Sequence, residues 1–212
     1  MKNSLTNSNE ILCVIFDLDG VLVDACEWHR VALNQALMLF SNHEITLKEH
    51  YEEYNGIPTR VKLEKLVQRG IVDPSDINKI ENEKQRLTIE IIKSTAKINE
   101  EKISLLKLLK LKNIKTACYT NSIRETAELM LEKTGILELF DLLVTNQDVT
   151  KPKPDPEGYM KCMKELFVDA SQCLIVEDSP NGVKAAKSSG AHVCVVRSPE
   201  DVKIESIMDL LT

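Results

Sequence analysis

The first apolar run, residues 11–17, is continuous rather than alternating, and it stops abruptly at Asp17-Leu18-Asp19-Gly20. A continuous short run is the pattern of a strand covered on both faces. From about Glu27 the period lengthens, with Leu33, Ala36, Leu37 and Phe40 at i, i+3, i+4 and i+7, which predicts a helix. Pro58 suits a first helical turn, Leu63, Leu66 and Val67 continue that helix, and Gly70 is placed to end it. Asp73-Pro74 opens a long helix through Ile77, Ile80, Leu87 and Ile91. No strand pattern interrupts residues 25–97. Beyond them the chain alternates. A helix over 100–112, ended by Asn113, leads into a strand over 114–120. Ser122-Ile123-Arg124-Glu125 fits a capping box for a helix that Gly135 ends. A strand over 140–145 precedes a helix that Asp155-Pro156 begins and Met160, Met163 and Phe167 continue. A strand over 173–176, a helix from Ser179-Pro180 to Gly190 and a strand over 191–196 complete the pattern. Strands alternating with helices predict an α/β fold, a parallel sheet with helices on both faces. The all-helical block is then an insertion after the first strand.

Composition narrows the class. The 212 residues are 43% hydrophobic and 28% charged, ordinary for a globular protein, but only 4% aromatic, so the core must be built from Leu, Ile, Val and Ala. A formal net charge of -6 argues against nucleic acid or an anionic membrane as partner. The six cysteines show no C-x-x-C or zinc-like spacing, and Cys13, Cys118, Cys173 and Cys194 lie in strand-like runs, where a free thiol behaves as a small hydrophobe. The polar residues 1–10 read as a tail without the pattern of a signal peptide, and no apolar stretch approaches a membrane span. A cytoplasmic protein with reduced thiols, monomeric or a small homo-oligomer, is the expectation.

Four polar clusters follow the apolar strands. Asp17 and Asp19, two apart, share a strand face. Thr120-Asn121-Ser122 offers a hydroxyl and backbone N–H groups at a helix start, an anion site. Lys151-Pro152-Lys153-Pro154 supplies cations, and Glu177-Asp178-Ser179 supplies two more carboxylates. Singly, each has an ordinary reading as a turn, a helix cap or a solvated loop. Together they stand at four successive strand ends, the edge of an open α/β sheet where ligands bind. Carboxylates gathered so closely call for a hard cation, and Mg²⁺ with oxygen ligands is the natural one.

The four clusters, read with their neighbours, resemble the haloacid dehalogenase-type hydrolases, in the branch of β-phosphoglucomutase and small sugar-phosphate phosphatases. The motifs are Asp17-Leu18-Asp19-Gly20-Val21-Leu22-Val23-Asp24, Tyr119-Thr120-Asn121-Ser122, Lys153-Pro154-Asp155-Pro156-Glu157-Gly158-Tyr159 and Val176-Glu177-Asp178-Ser179-Pro180-Asn181-Gly182-Val183. The resemblance implies a Rossmann-like α/β core over residues 1–24 and 98–212 and a helical cap domain over 25–97. It implies that Asp17 is the nucleophile, Asp19 the acid and base, and that Thr120, Asn121 and a lysine hold phosphate. Mg²⁺ would be held by Asp17, the Asp19 carbonyl and Asp178, with Glu177 direct or through water. Lys153, followed by Pro154, Pro156, Glu157 and Tyr159, fits the family's lysine better than Lys151 does, though Lys151 stays open. His29 and Arg60 match family positions near the hinge and on a cap loop, as contacts to phosphate or substrate. The implied activity is a Mg²⁺-dependent phosphatase of a small phosphorylated metabolite, a sugar phosphate foremost, acting through an aspartyl-phosphate. A phosphomutase, or a non-catalytic binding module on the same fold, are the alternatives.

Overall fold

The computed structural model describes residues 10–211, so the expected N-terminal tail lies almost wholly outside the described residues. Five strands form one parallel sheet: β1 (Cys13–Phe16), β2 (Lys115–Tyr119), β3 (Leu142–Val144), β4 (Cys173–Glu177) and β5 (His192–Val195), in the order β3-β2-β1-β4-β5. Strand β1 is central and wholly buried. Its alternate side chains enter different cores, Val14 and Phe16 on one face, Cys13 and Ile15 on the other. The chain runs outward from β1 to β2 and β3, then crosses to β4 and β5, so the strand order reverses beside β1. That reversal opens the crevice where ligands bind in such sheets. Phe16 pairs with Cys118 and with Val176, so the next residues along each strand, Asp17, Tyr119 and Glu177, stand at one level.

The helical block holds α1 (Cys26–Phe40), α2 (Leu47–Glu49), a π-helical turn (His50–Tyr54), α3 (Thr59–Gln68) and α4 (Ile77–Thr95). It has its own apolar cluster around Leu33, Leu37, Tyr54, Leu63 and Ile80. Helix α1 packs chiefly on α4, which also reaches the core helix α6 (Arg124–Lys133). The core helices are completed by α5 (Glu100–Leu111), α7 (Glu157–Glu165), α8 (Pro180–Ser188) and α9 (Ile204–Met208). No helix among the described residues is long and apolar enough to cross a membrane.

Several local expectations are met by specific atoms. Asn113 takes φ 58° at the end of α5, and Gly70 and Gly135 take positive φ after α3 and α6. The Ser179 hydroxyl accepts the Gly182 N–H at 3.1 Å, with Pro180 opening α8. Other expectations are corrected. Pro58 precedes α3 in extended conformation rather than entering its first turn. Phe40 is 37% exposed, off the packed face of α1. Strands β1, β2, β3 and β5 are shorter at their ends than the apolar runs, whereas β4 runs one residue further, to Glu177. The helix over 204–208 and the π-turn carry no periodic signal long enough to show.

Ser122 does not cap α6. The helix starts at Arg124, whose N–H is taken by Gln147 Oε1 at 2.8 Å. The Ser122 hydroxyl donates instead to Asp19 Oδ2 at 3.0 Å.

Candidate active site

At the end of β1, Asp17 is 7% exposed and its backbone N–H still pairs with the Val176 carbonyl at 3.0 Å. Its Oδ1 accepts from the Lys153 ammonium. Lys153 is 3% exposed and also donates to Glu177 Oε1 at 2.6 Å and to the Tyr119 carbonyl at 3.0 Å. Its Nζ lies 4.8 Å from the Tyr119 ring centre and 5.1 Å from that of Tyr159, so two aromatic faces enclose the charge. Burial alone would depress this ammonium, but Asp17 and Glu177 outweigh it and hold Lys153 charged, well above its ordinary value. Burial pushes the Asp17 carboxyl up, opposed by Lys153 and reinforced by the neighbouring Glu177, Asp178 and Asp19.

Glu177 is wholly buried and fully used. Its Oε1 also accepts the Tyr159 hydroxyl at 2.7 Å, and its Oε2 accepts from Asp178 N, Ser179 N and Ser179 Oγ at 3.0, 3.1 and 3.3 Å. Helix α8 approaches so closely that a Cβ on Gly182 would fall 1.8 Å from Glu177 Oε1. Glycine is required there for that reason.

Asp19 has different surroundings. Its Oδ1 faces His29 Nε2 at 3.1 Å, and its Oδ2 receives Ser122 Oγ at 3.0 Å and, more distantly, Thr120 Oγ1 at 3.4 Å. His29 Nδ1 lies 3.0 Å from Lys84 Nζ. When Lys84, which burial and Lys62 bring down to about 7, is charged and the ring is neutral, the lysine donates there and the ring proton sits on Nε2, aimed at Asp19. Burial would raise the Asp19 carboxyl, but His29, as a hydrogen-bond partner and, when protonated, as a charge, prevails together with Ser122 and Lys84 and holds it below the usual range. Two carboxylates two residues apart are thus pushed in opposite directions.

The donor set suits a hard cation. Asp17, Glu177 and Asp178 each offer an oxygen, all within 4.8 Å of one another. Asp178 Oδ1 is buried without a hydrogen-bond partner among the described residues, an acceptor aimed at nothing in the protein. Burial, then Glu177, raises the Asp178 carboxyl to about 7. Gly20, at φ 92°, lets the chain turn past it, since a Cβ there would sit 2.3 Å from Asp178 Oδ2.

The structure gathers Asp17, Asp19, Thr120, Lys153, Glu177 and Asp178 at one sheet edge, with His29 above Asp19. Lys151 stands apart: it is exposed, and its backbone N–H binds Glu157 Oε2 at 2.9 Å. Asn121 ties loops together, its Nδ2 donating to the Gly56 carbonyl at 2.7 Å and its Oδ1 accepting the Lys153 N–H at 3.1 Å. Arg60 lines the cavity, yet its Nη1 binds Glu81 and Asn78, each at 2.7 Å. Lys84, Lys62 and His50 are cavity residues that sequence reasoning did not single out, coming from the helical block with no local signal, whereas Ser122 was read as part of an anion site and a helix cap and instead serves Asp19. The cavity measures about 170 Å³, below the roughly 300–1,000 Å³ usual for drug-sized ligands.

Comparison with known proteins agrees with this geometry. Residues 14–196 match the family model for haloacid dehalogenase-like hydrolases. The chain is 30% identical over 180 residues to a phosphorylated carbohydrates phosphatase of Thermotoga maritima, covering 84% of this chain and 81% of that one. It is 24% identical to hexitol phosphatase B of Escherichia coli, over 97% of both chains. Among solved structures, a β-phosphoglucomutase from Clostridium difficile superposes with a TM-score of 0.82 at 25% identity, covering 95% of this chain and 97% of that chain. The chain belongs to the haloacid dehalogenase-like hydrolase family.

Proposed function

We propose that the protein is a Mg²⁺-dependent phosphatase of a small phosphorylated metabolite, a sugar phosphate by preference, working through an aspartyl-phosphate on Asp17. The observation that carries this reading is the division of labour between Asp17 and Asp19. One carboxylate is anchored by Lys153 at the cavity floor; the other is held apart by His29 and Ser122. Carboxylates in contrasting environments take contrasting roles.

Asp17 attacks phosphorus, forming an O–P bond as the bond to the leaving oxygen breaks. Asp19 gives its proton to that oxygen. In the second half Asp19, again a carboxylate, takes a proton from water, whose oxygen displaces Asp17 and releases inorganic phosphate. The hydrogen bonds to Asp19 favour its charged form, so they support the base half most directly. Lys153, Thr120 and the Asn121 backbone hold the transferring oxygens, where charge is greatest. Mg²⁺, held by Asp17, the Asp19 carbonyl and Asp178, would supply positive charge that offsets repulsion between nucleophile and phosphate. Because the Glu177 oxygens already accept five hydrogen bonds, we assign Glu177 to positioning Lys153 rather than to direct ligation. Residues 25–97 act as a cap that excludes water, and the Asn121 bond to Gly56 latches it to the core.

Phosphate release from a panel of phosphorylated metabolites, with Mg²⁺ and with chelator, tests the reading. Asp17→Asn should abolish release, and Asp19→Asn should suppress it while retaining substrate. Near-normal turnover by Asp17→Asn would overturn the nucleophile assignment. Isomerisation of a hexose 1-phosphate without net phosphate release would select a mutase instead, the activity named for the Clostridium difficile relative.

A further inference from the structure

The side of the cavity built by the helical block carries cationic and donor groups that the chemistry above leaves unused. Lys153 is matched by Asp17 and Glu177, and Arg60 by Glu81. Lys84 is engaged with His29. Lys62, on α3, is 7% exposed and lines the cavity, and its ammonium makes no hydrogen bond or ion pair among the described residues. His50, on the π-turn, lines the same cavity, is 1% exposed, and neither of its ring nitrogens has a partner.

Both groups are costly as they stand. The Lys62 ammonium loses hydration with only the more distant Asp19 charge to set against it, and the buried His50 ring has no hydrogen-bond partner for either nitrogen. The strain shows in their protonation. Burial lowers Lys62 to about 8, and burial with the nearby Lys62 charge lowers His50 to about 4. Neither residue hydrogen-bonds to Asp19, His29 or Asp17 among the described residues, although the Asp19 charge reaches Lys62 and raises it against burial. Each would be satisfied by an oxyanion entering from the cavity, the lysine as a charge and the imidazole as an N–H donor.

We propose that Lys62 and His50 form a subsite for a second anionic group of the substrate, so that the preferred substrate carries a carboxylate or a second phosphoryl besides the one transferred to Asp17. This rests on the phosphatase reading and adds to it a substrate class, a phosphorylated metabolite with two anionic ends. An uncharged sugar hydroxyl would satisfy His50 but leave Lys62 without a counter-charge, which is why the second group is taken to be an anion.

Three short probes separate the possibilities: glycerol 3-phosphate, 3-phosphoglycerate and propane-1,3-diyl bisphosphate. The first has a neutral remainder, the second a carboxylate, the third a second phosphoryl. Wild-type kcat/KM should be higher for the two-anion probes, and the better of them identifies the second group. Lys62→Met should lower kcat/KM for those two by about tenfold more than for glycerol 3-phosphate, through KM, the scale of a lost charge-assisted hydrogen bond. Lys62→Arg should restore most of the difference, which a merely structural lysine would not require. Equal losses on all three probes would place Lys62 on the transferring phosphoryl and overturn the proposal, as would no loss on any. Calorimetric binding of the same probes to wild type and Lys62→Met, with Mg²⁺ present, reads the subsite without turnover. If no probe releases phosphate yet the two-anion probes bind in a Lys62-dependent way, the phosphatase reading fails and the subsite stands. If neither two-anion probe binds more tightly than glycerol 3-phosphate, the subsite fails.

Discussion

Replacing Glu177 by glutamine changes one atom and tests how the site is anchored. Glu177 is wholly buried and accepts five hydrogen bonds, two at Oε1 from Lys153 and Tyr159 and three at Oε2 from Asp178 N, Ser179 N and Ser179 Oγ. A glutamine must point its NH₂ at one of these groups. Turned one way it opposes the Lys153 ammonium and the Tyr159 hydroxyl; turned the other way it opposes two backbone N–H groups. Either orientation sets donor against donor, and the charge facing Lys153 falls from two carboxylates to one. Removing one partner of a buried ion pair costs about 3–5 kcal/mol, against a total stability on the order of 5–15 kcal/mol. With a urea m-value of about 2–3 kcal/mol/M, the unfolding midpoint should drop by roughly 1–2 M. Loosening Lys153 should also lower kcat by about a hundredfold, the scale of losing one oxyanion donor. The unfolding is followed by circular dichroism with chelator present, so that a ligand role cannot produce the shift. A midpoint within about 0.3 M of wild type at equal m-value would refute the anchoring role. A loss seen only with Mg²⁺ would return Glu177 to the metal.

Gly182→Ala attacks the same anchor from behind. Its Cβ would fall 1.8 Å from Glu177 Oε1, so α8 or the carboxylate must move. A loss of about 1–3 kcal/mol, the cost of overpacking, together with reduced kcat is expected in denaturation and turnover assays. Mg²⁺ should raise the melting temperature, since saturation at a hundredfold excess over Kd stabilises by about 2.7 kcal/mol. Asp178→Asn should remove most of that gain in a thermal melt. Acid sensitivity should come in part from His50, held at about 4 by burial and by Lys62, His29 and Arg30, with only Glu27 opposing. Between roughly pH 6.5 and 4 the unfolded chain takes up a proton that the folded chain refuses, so stability is full above that window and falls as pH drops through it. The shift amounts to about 3 kcal/mol, and His50→Gln should flatten the fall between roughly pH 6.5 and 5 in urea titrations.

What was legible in the sequence is what the strands alone decide. A continuous apolar run predicts a strand, its polar terminus predicts the sheet edge, and parallel pairing in register brings Asp17, Tyr119 and Glu177 level without further information. Hence Asp17, Asp19, Thr120, Lys153, Glu177 and Asp178 can be picked out from motif and position. The contributions of the helical block are set by how α1, α3, α4 and the π-turn pack, and periodicity identifies an apolar face without saying which polar residues meet across it. Lys84 reaches His29 across 55 residues of chain. Lys62 reads locally as a surface lysine beside exposed Val61, and His50 as a polar residue in a short irregular turn.

Ser122 shows a second limit: local chemistry offered its hydroxyl a helix N–H, while the fold offered the charged oxygen of Asp19. Donating to Asp19 leaves the hydroxyl's lone pairs free to accept an N–H, as Ser179 does from Gly182 while donating to Glu177. The cap is lost because α6 begins only at Arg124, whose N–H is taken by Gln147 Oε1. Lys102 makes the complementary case. Its helix pattern says solvent, but its ammonium is 1% exposed and donates to the carbonyls of Pro199 at 2.8 Å and Val202 at 2.7 Å, fastening the C-terminal segment to α5. Buried lysines in this protein therefore divide by their partners. The ammonium groups of Lys102 and Lys153 have partners in the protein, Lys153 among those assigned to the phosphoryl, whereas that of Lys62 has none among the described residues, and it is on this lack that its assignment to a ligand rests.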